Sequence, residues 1–282
     1  MNTLDHDGIE FRYVIEGDGQ PMVVVGSSVQ YSRGFAPSTL PKHFRMIYAD
    51  SRHAVASYHP SNAELATLTL EAFADDLETL RLHLGTDTWI VLGHAAHAQI
   101  ALAYAGKYPE RTARLILSGA APYSLDELGP IQEQFWEANA SPERKALHAA
   151  NLAAMDKIID KMPEERRIPE VYIANAARFW FDPNFDASFI WDGVDIGRAY
   201  GRLYELLPSR AKIRPILEGL QVPTLLIHGN LDFAVPHTVW EEIIAGIPLI
   251  DYELLTEVGH NPMIESPKTF DETVIDWLAV SK

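Results

Sequence analysis

The sequence predicts an α/β fold: a mostly parallel central sheet, flanked by helices, with a helical insertion in the middle of the chain. Three observations lead there. Short β-rich runs alternate with helical patterns at both ends of the chain. Several of those runs are apolar without alternation, as strands buried on both faces are. The middle of the chain breaks the rhythm. At 282 residues it is long enough for one large core with an inserted subdomain.

In chain order the candidate strands are Ile9–Ile15, Met22–Val25, Met46–Ala49, Trp89–Leu92, Leu115–Ser118, Thr224–His228 and Asp251–Leu255. Amphipathic helices are expected over Leu70–Leu84, Ala98–Lys107, Val239–Ile247 and Phe270–Val280. In the first of these Leu70, Phe73, Leu77, Leu80 and Leu84 form one stripe, with Asp75, Asp76 and Glu78 largely opposite. Residues 123–215 read as helices without a clear strand, punctuated by prolines and rich in aromatics. This gives a first core part at 1–122, a helical cap at 123–215 and a second core part at 216–282.

The chain has no cysteine, which removes disulfides, thiolate metal sites and a cysteine nucleophile. A net charge of −16 repels phosphate backbones and argues against nucleic-acid partners. No stretch approaches the roughly 18 apolar residues of a membrane helix, so no membrane partner is expected. Met1 to Glu10 is polar and acidic, without the parts of a secretory signal, and points to a cytoplasmic protein, monomer or homodimer. No histidine spacing suggests a metal site, and no cofactor is expected.

The chemistry concentrates after the strand Trp89–Leu92, where Gly93-His94-Ala95-Ala96-His97-Ala98 leads into an alanine- and leucine-rich helix. Strand, tight turn, helix is the context of the nucleophile elbow Gly-x-Ser-x-Gly, whose serine stands on a strained turn above the sheet. Gly93 supplies the first small position, Ala95 takes the place of the serine, and His97 stands where the motif has its second glycine. The run Val91 to Leu102 resembles the elbow of α/β-hydrolases with the serine replaced. The likeness covers nearly the whole chain: Thr69–Leu84 resembles the helix before the elbow, and Tyr108-Pro109-Glu110-Arg111 to Leu117 the turn and strand after it.

The resemblance implies a serine-hydrolase site. Gly229-Asn230-Leu231-Asp232 followed by Val235-Pro236 looks like the family's acid loop, so Asp232 would orient and stabilise the base. A loop aspartate capping the helix near Thr238 is the structural alternative. Val258-Gly259-His260-Asn261-Pro262-Met263 resembles the loop that presents the catalytic histidine, so His260 would be the base, against the alternative of a solvated loop histidine. Acid and base follow the elbow in the chain order this fold uses. By position, the backbone amides of Ser28 and Ala96 would form the oxyanion hole, with Ser27 one residue off. Among His53, His59, His94 and His97, which could line the pocket, His94 beside the elbow joins the candidate binding residues. These are Ser27, His94, Trp136, Phe179, Trp180, Phe185 and Trp191.

A methyl group cannot attack a carbonyl, so the chain with Ala95 is expected to be inactive or nearly so. Either a serine was exchanged for alanine, or this is a silent relative that binds without turnover; retention of Asp232 and His260 favours the exchange. The aromatic cap implies a bulky hydrophobic small molecule. The segment Phe179–Asp186 resembles proline iminopeptidase-like hydrolases and serine-dependent macrolide esterases. Absence of the peptidases' Gly-Gly-Pro run after Val25 favours an ester or lactone, a macrolide among them, over an amide. The alternatives are an aminopeptidase, with Asp182, Asp186 or Asp192 gripping an ammonium group, and a non-catalytic ligand-binding module. A cofactor-free oxygenase using His260 is more remote.

Overall fold

The computed structural model describes residues 1–55, 57–194 and 196–280. Eight strands form one sheet: β1 (Asn2–His6), β2 (Ile9–Glu16), β3 (Gln20–Gly26), β4 (Phe44–Asp50), β5 (Trp89–His94), β6 (Thr112–Ser118), β7 (Thr224–Gly229) and β8 (Ile250–Leu255). Their spatial order is β1-β2-β4-β3-β5-β6-β7-β8. All neighbours from β4 to β8 are parallel, and β2 runs antiparallel to both β1 and β4.

Every strand expected from the sequence is present, and β1 is additional. It pairs His6 with Ile9 across the two-residue turn Asp7-Gly8, both at positive φ (55° and 76°), the conformation a tight hairpin needs. Its half-exposed, polar sequence gives no apolar signal.

Alternation along the buried strands splits the core into two layers. Val23, Val25, Val91 and Leu115 face the helices Leu70–His83 and His97–Lys107, while Met22, Val24, Ile90 and Leu92 face Phe35, Phe270 and Val274. Between β6 and β7 the chain forms a run of helices, among them Leu125–Asn139, Pro142–Met155, Glu164–Ala174 and Ala199–Glu205. Trp180, Ile190, Trp191 and Tyr200 give this segment an apolar cluster of its own.

One expectation about the helix Leu70–His83 is corrected. Asp76 does not face water: it is buried and accepts two hydrogen bonds from Arg52, at 2.6 and 2.9 Å. The pair clamps the loop after β4 onto the helix, and so fixes the backbone that carries His53. A carboxylate stripped of this partner stays buried with its charge uncompensated. Arg52→Met is therefore expected to cost roughly 3–5 kcal/mol in urea unfolding; a loss under about 1 kcal/mol, the range of surface ion pairs, would show that the clamp is dispensable.

Candidate active site

The site lies at the carboxyl ends of the parallel strands, where loops from β3, β4, β5, β7 and β8 converge. At its centre β5 turns sharply into the helix His97–Lys107. The two approach so closely that a Cβ on Gly93 would lie 2.6 Å from Cα of Ala98. The reversal forces Ala95 to φ 52°, a left-handed conformation that a residue with a Cβ adopts only when its surroundings impose it. They do so through backbone bonds: the Ala95 N–H donates to the Ser118 carbonyl at 3.0 Å, and the Ala95 carbonyl accepts from Ala98 at 3.3 Å.

Asp232 and His260 come from the loops after β7 and β8 and meet. The His260 Nδ1–H donates to Asp232 Oδ2 at 2.8 Å, and Asp232 Oδ1 accepts the amides of Ala234 (2.8 Å) and Val235 (2.7 Å). With its carboxylate fully engaged, the buried Asp232 fixes the imidazole so that Nε2 is left bare. The backbone of His260 is held as tightly. Its N–H donates to the Phe179 carbonyl (2.8 Å), while the Glu265 carboxylate accepts the amides of Gly259 (3.0 Å), Asn261 (2.8 Å) and Phe181 (2.6 Å). The base loop and the helical insertion are thus tied together by one carboxylate.

Two cavities meet at Ala95, Tyr172, Phe179, Tyr200 and His260. The outer one, about 500 Å³, is apolar and is walled by Leu125, Leu128, Ile168, Val171 and Phe233 among others. The inner one, about 40 Å³, is lined by Gln30, Tyr31, His53, His94 and His97 together with Trp180, Ile190, Trp191 and Ile196. The hydroxyls of Tyr172 and Tyr200, which line both cavities, and of Tyr204, which lines the outer one, bond one another at 2.5–3.1 Å.

Of the expected binding residues, His94, Phe179, Trp180 and Trp191 line these cavities and Ser27, Trp136 and Phe185 do not. Ser27 caps the helix Ser28–Gly34, accepting the Gln30 amide. Trp136 is buried against Phe233 and His148, and Phe185 stacks on Trp180 at 4.2 Å. The oxyanion assignment of Ser28 is also corrected: its single N–H already donates to Asp50 Oδ1 at 2.7 Å. The Ala96 N–H has no partner among the described residues, and Ala96 lines the outer cavity. Gln30 was missed by the sequence reading; of the histidines that could line the pocket, His53 and His97 do so beside His94, while His59 lies exposed on the surface.

Burial keeps the histidines around the site neutral. It pushes His53, His94 and His228 down to about 3, and His97 well below its ordinary value, with neighbouring histidines adding to the effect at the last three. The unfolded chain takes up these protons near 6.5 and the native state does not, so each such histidine contributes stability above 6.5 that is lost as pH falls towards its folded value. Asp50, Asp76 and Glu265, raised by burial, act in the opposite sense. Comparing the parent with His228→Leu cancels those carboxylates. The stability of His228→Leu relative to the parent should rise by about 1 kcal/mol between about pH 7.5 and 5.5 in urea unfolding; a pH-independent difference would contradict a neutral His228.

Comparison with known proteins places this geometry. The family model described as the alpha/beta hydrolase fold matches residues 24–267. The AB hydrolase superfamily protein YclE of Bacillus subtilis is 30% identical over 278 residues, covering 96% of each chain. The proline iminopeptidase of Neisseria gonorrhoeae is 26% identical, covering 83% of this chain and 78% of its own. Among solved structures, a thermophilic esterase from Thermogutta terrifontis superposes with a TM-score of 0.69 at 23% identity, covering 98% of this chain and 96% of its own. With strands, elbow turn and family match in agreement, the chain belongs to the α/β-hydrolase family.

Proposed function

We propose that this site is built to cleave a carboxylic ester or lactone of a bulky hydrophobic substrate, with its carbonyl over residue 95, and that Ala95 silences the covalent step. The observation that carries this reading is the Asp232–His260 pair, with His260 sharing both cavities with a residue held on a left-handed turn. With serine at 95, Oγ attacks the carbonyl carbon while His260 Nε2 takes its proton. The alkoxide formed leans on the Ala96 amide. Collapse expels the leaving alkoxide, which takes the proton back from His260. Water, deprotonated by the same nitrogen, then frees the acid and regenerates the serine.

An apolar cleft of about 500 Å³ suits a bulky apolar group, a macrolide lactone being one member of the class. The aminopeptidase alternative is less well supported. It needs a carboxylate to grip an ammonium group, and among the described residues neither cavity is lined by one. Asp182, Asp186 and Asp192 are exposed, and the first two spend an oxygen on the amides of Asn184 and Ser188. Residues 123–215 act in this reading as the cap that supplies the apolar wall.

Ala95→Ser is expected to confer hydrolysis on a panel of aryl esters and lactones, macrolides included, while the parent chain stays at background. Adding Asp232→Asn to the serine form should lower kcat by roughly 10⁴, because the imidazole then loses its orienting partner. A folded serine form that turns over nothing, yet binds members of the panel as the parent does, would favour a ligand-binding module instead.

A further inference from the structure

Three segments far apart in the chain lie against one another around the Asp232–His260 pair. The base loop packs on the helical insertion so closely that a Cβ on Gly259 would stand 2.8 Å from the Phe179 carbonyl oxygen and 2.9 Å from the Phe181 nitrogen. Hydrogen bonds follow the contact. The His260 N–H donates to the Phe179 carbonyl at 2.8 Å, and the Glu265 carboxylate spans the junction, Oε2 accepting the N–H groups of Phe181 and Gly259 and Oε1 that of Asn261. The Phe179 ring meets that of His260 edge-on, with centroids 5.2 Å apart. The acid loop reaches the same stretch of the insertion from another side: Phe233, next to Asp232, shares an apolar cluster with Ala177 and Trp136. Arg144, on the helix Pro142–Met155, lies 5.3 Å from the centre of the Phe233 ring. Its guanidinium donates to the carbonyls of Ala177 (2.8 Å), Trp180 (2.9 Å) and Phe181.

We propose that residues 177–181 of the insertion brace the Asp232–His260 pair, with Glu265 and Arg144 as positioning residues that hold the brace from the base side and the acid side. The donor set accounts for a carboxylate at 265. All three of its partners are N–H groups, so each of its two oxygens must accept; glutamine has the same shape but would turn its NH2 against one of these amides. A buried amide that loses its acceptor bears a desolvation cost, which the loop relieves by shifting. Arg144 is the complement. Two nitrogens of its planar fork gather three carbonyls, a span that the single nitrogen of a lysine does not reproduce. Phe181 is held at both ends of its backbone, its N–H by Glu265 and its carbonyl by Arg144. The base inherits this order, because its own N–H hangs on the Phe179 carbonyl and its ring packs on the Phe179 ring. Displacing a reacting group by about 1 Å costs roughly a hundredfold in rate, so small movements of the brace reach the chemistry.

The brace rests on the ester reading only in taking Asp232 and His260 as the reacting pair, so its first test needs no turnover. In the parent chain with histidine labelled in its ring nitrogens, the proton between His260 Nδ1 and Asp232, assigned by its loss in His260→Ala, should be protected from exchange with water. Glu265→Gln, and independently Arg144→Lys, should speed that exchange by at least about tenfold in proteins shown to be folded by urea unfolding. Should Glu265→Gln not fold, Arg144→Lys reads the same brace from its other side. In the Ala95→Ser chain each variant should lower kcat by about tenfold to a hundredfold while KM changes by less than about twofold. Added to Asp232→Asn, where the pair is already lost, Glu265→Gln should lower kcat by less than about twofold more; an effect exerted elsewhere in the fold would be equal on both backgrounds. Unchanged proton exchange in the folded variants, or an equal loss of kcat on both backgrounds, overturns the proposal. If Ala95→Ser turns over nothing while the His260 proton still answers to Glu265 and Arg144, the ester reading has failed and the brace stands; hydrolysis indifferent to Glu265→Gln keeps that reading and removes the brace.

Discussion

The geometry of the site depends on a close approach: a strand and a helix packed so tightly at Gly93 and Ala98 that the residue between them must turn left-handed. Such a conformation costs an alanine of order 1–3 kcal/mol, and the chain sustains it with backbone bonds to Ser118 and Ala98. The turn lifts residue 95 out of the core, leaving it half-buried at the junction of two cavities. It also sets the start of the helix, and with it the free amide of Ala96 and the side chain of His97. That the strain persists with only a methyl at its apex shows that the surrounding packing, and not the side chain, holds the elbow.

Around this turn the molecule separates two electrostatic environments. On one side Asp232, satisfied by two amides and one imidazole, orients the ring of His260. On the other, His53, His94 and His97 are kept neutral by burial and are joined by hydrogen bonds, His94 to His97 through Tyr31 and His97 to His53 directly. The two meet at His260, whose side chain belongs to the first and whose carbonyl anchors the second. A shift in the base loop would therefore disturb both, which gives a physical reason for the three amides that Glu265 gathers there.

Much of this was legible in the sequence. Apolar runs without alternation marked the parallel strands, and small residues between a strand and a helix marked the elbow. Acid and base loops were legible through resemblance, each ending a strand with glycine nearby. What was not legible depends on partners distant in the chain. Ser28 reads as an oxyanion donor by position, but the pairing of Gly26 with Asp50 in neighbouring strands brings a carboxylate to its amide. Aromatic density in the insertion could not separate Trp136, which builds that segment's interior, from Phe179, which faces the base. His53 and His97 looked like scattered histidines because only the convergence of three loops makes them neighbours. The strand Asn2–His6 had no apolar pattern, although Asp7-Gly8 is a hairpin signal.

The central claim is that residue 95 and His260 together form a place where a side-chain oxygen becomes nucleophilic. Intact-mass analysis of the Ala95→Ser chain after exposure to a fluorophosphonate reads this directly, without any need to know the substrate. The account predicts one adduct, mapped to residue 95, absent from the parent and lost when His260→Ala is added. A serine form that stays unlabelled while folded, or one labelled equally well without His260, would contradict it.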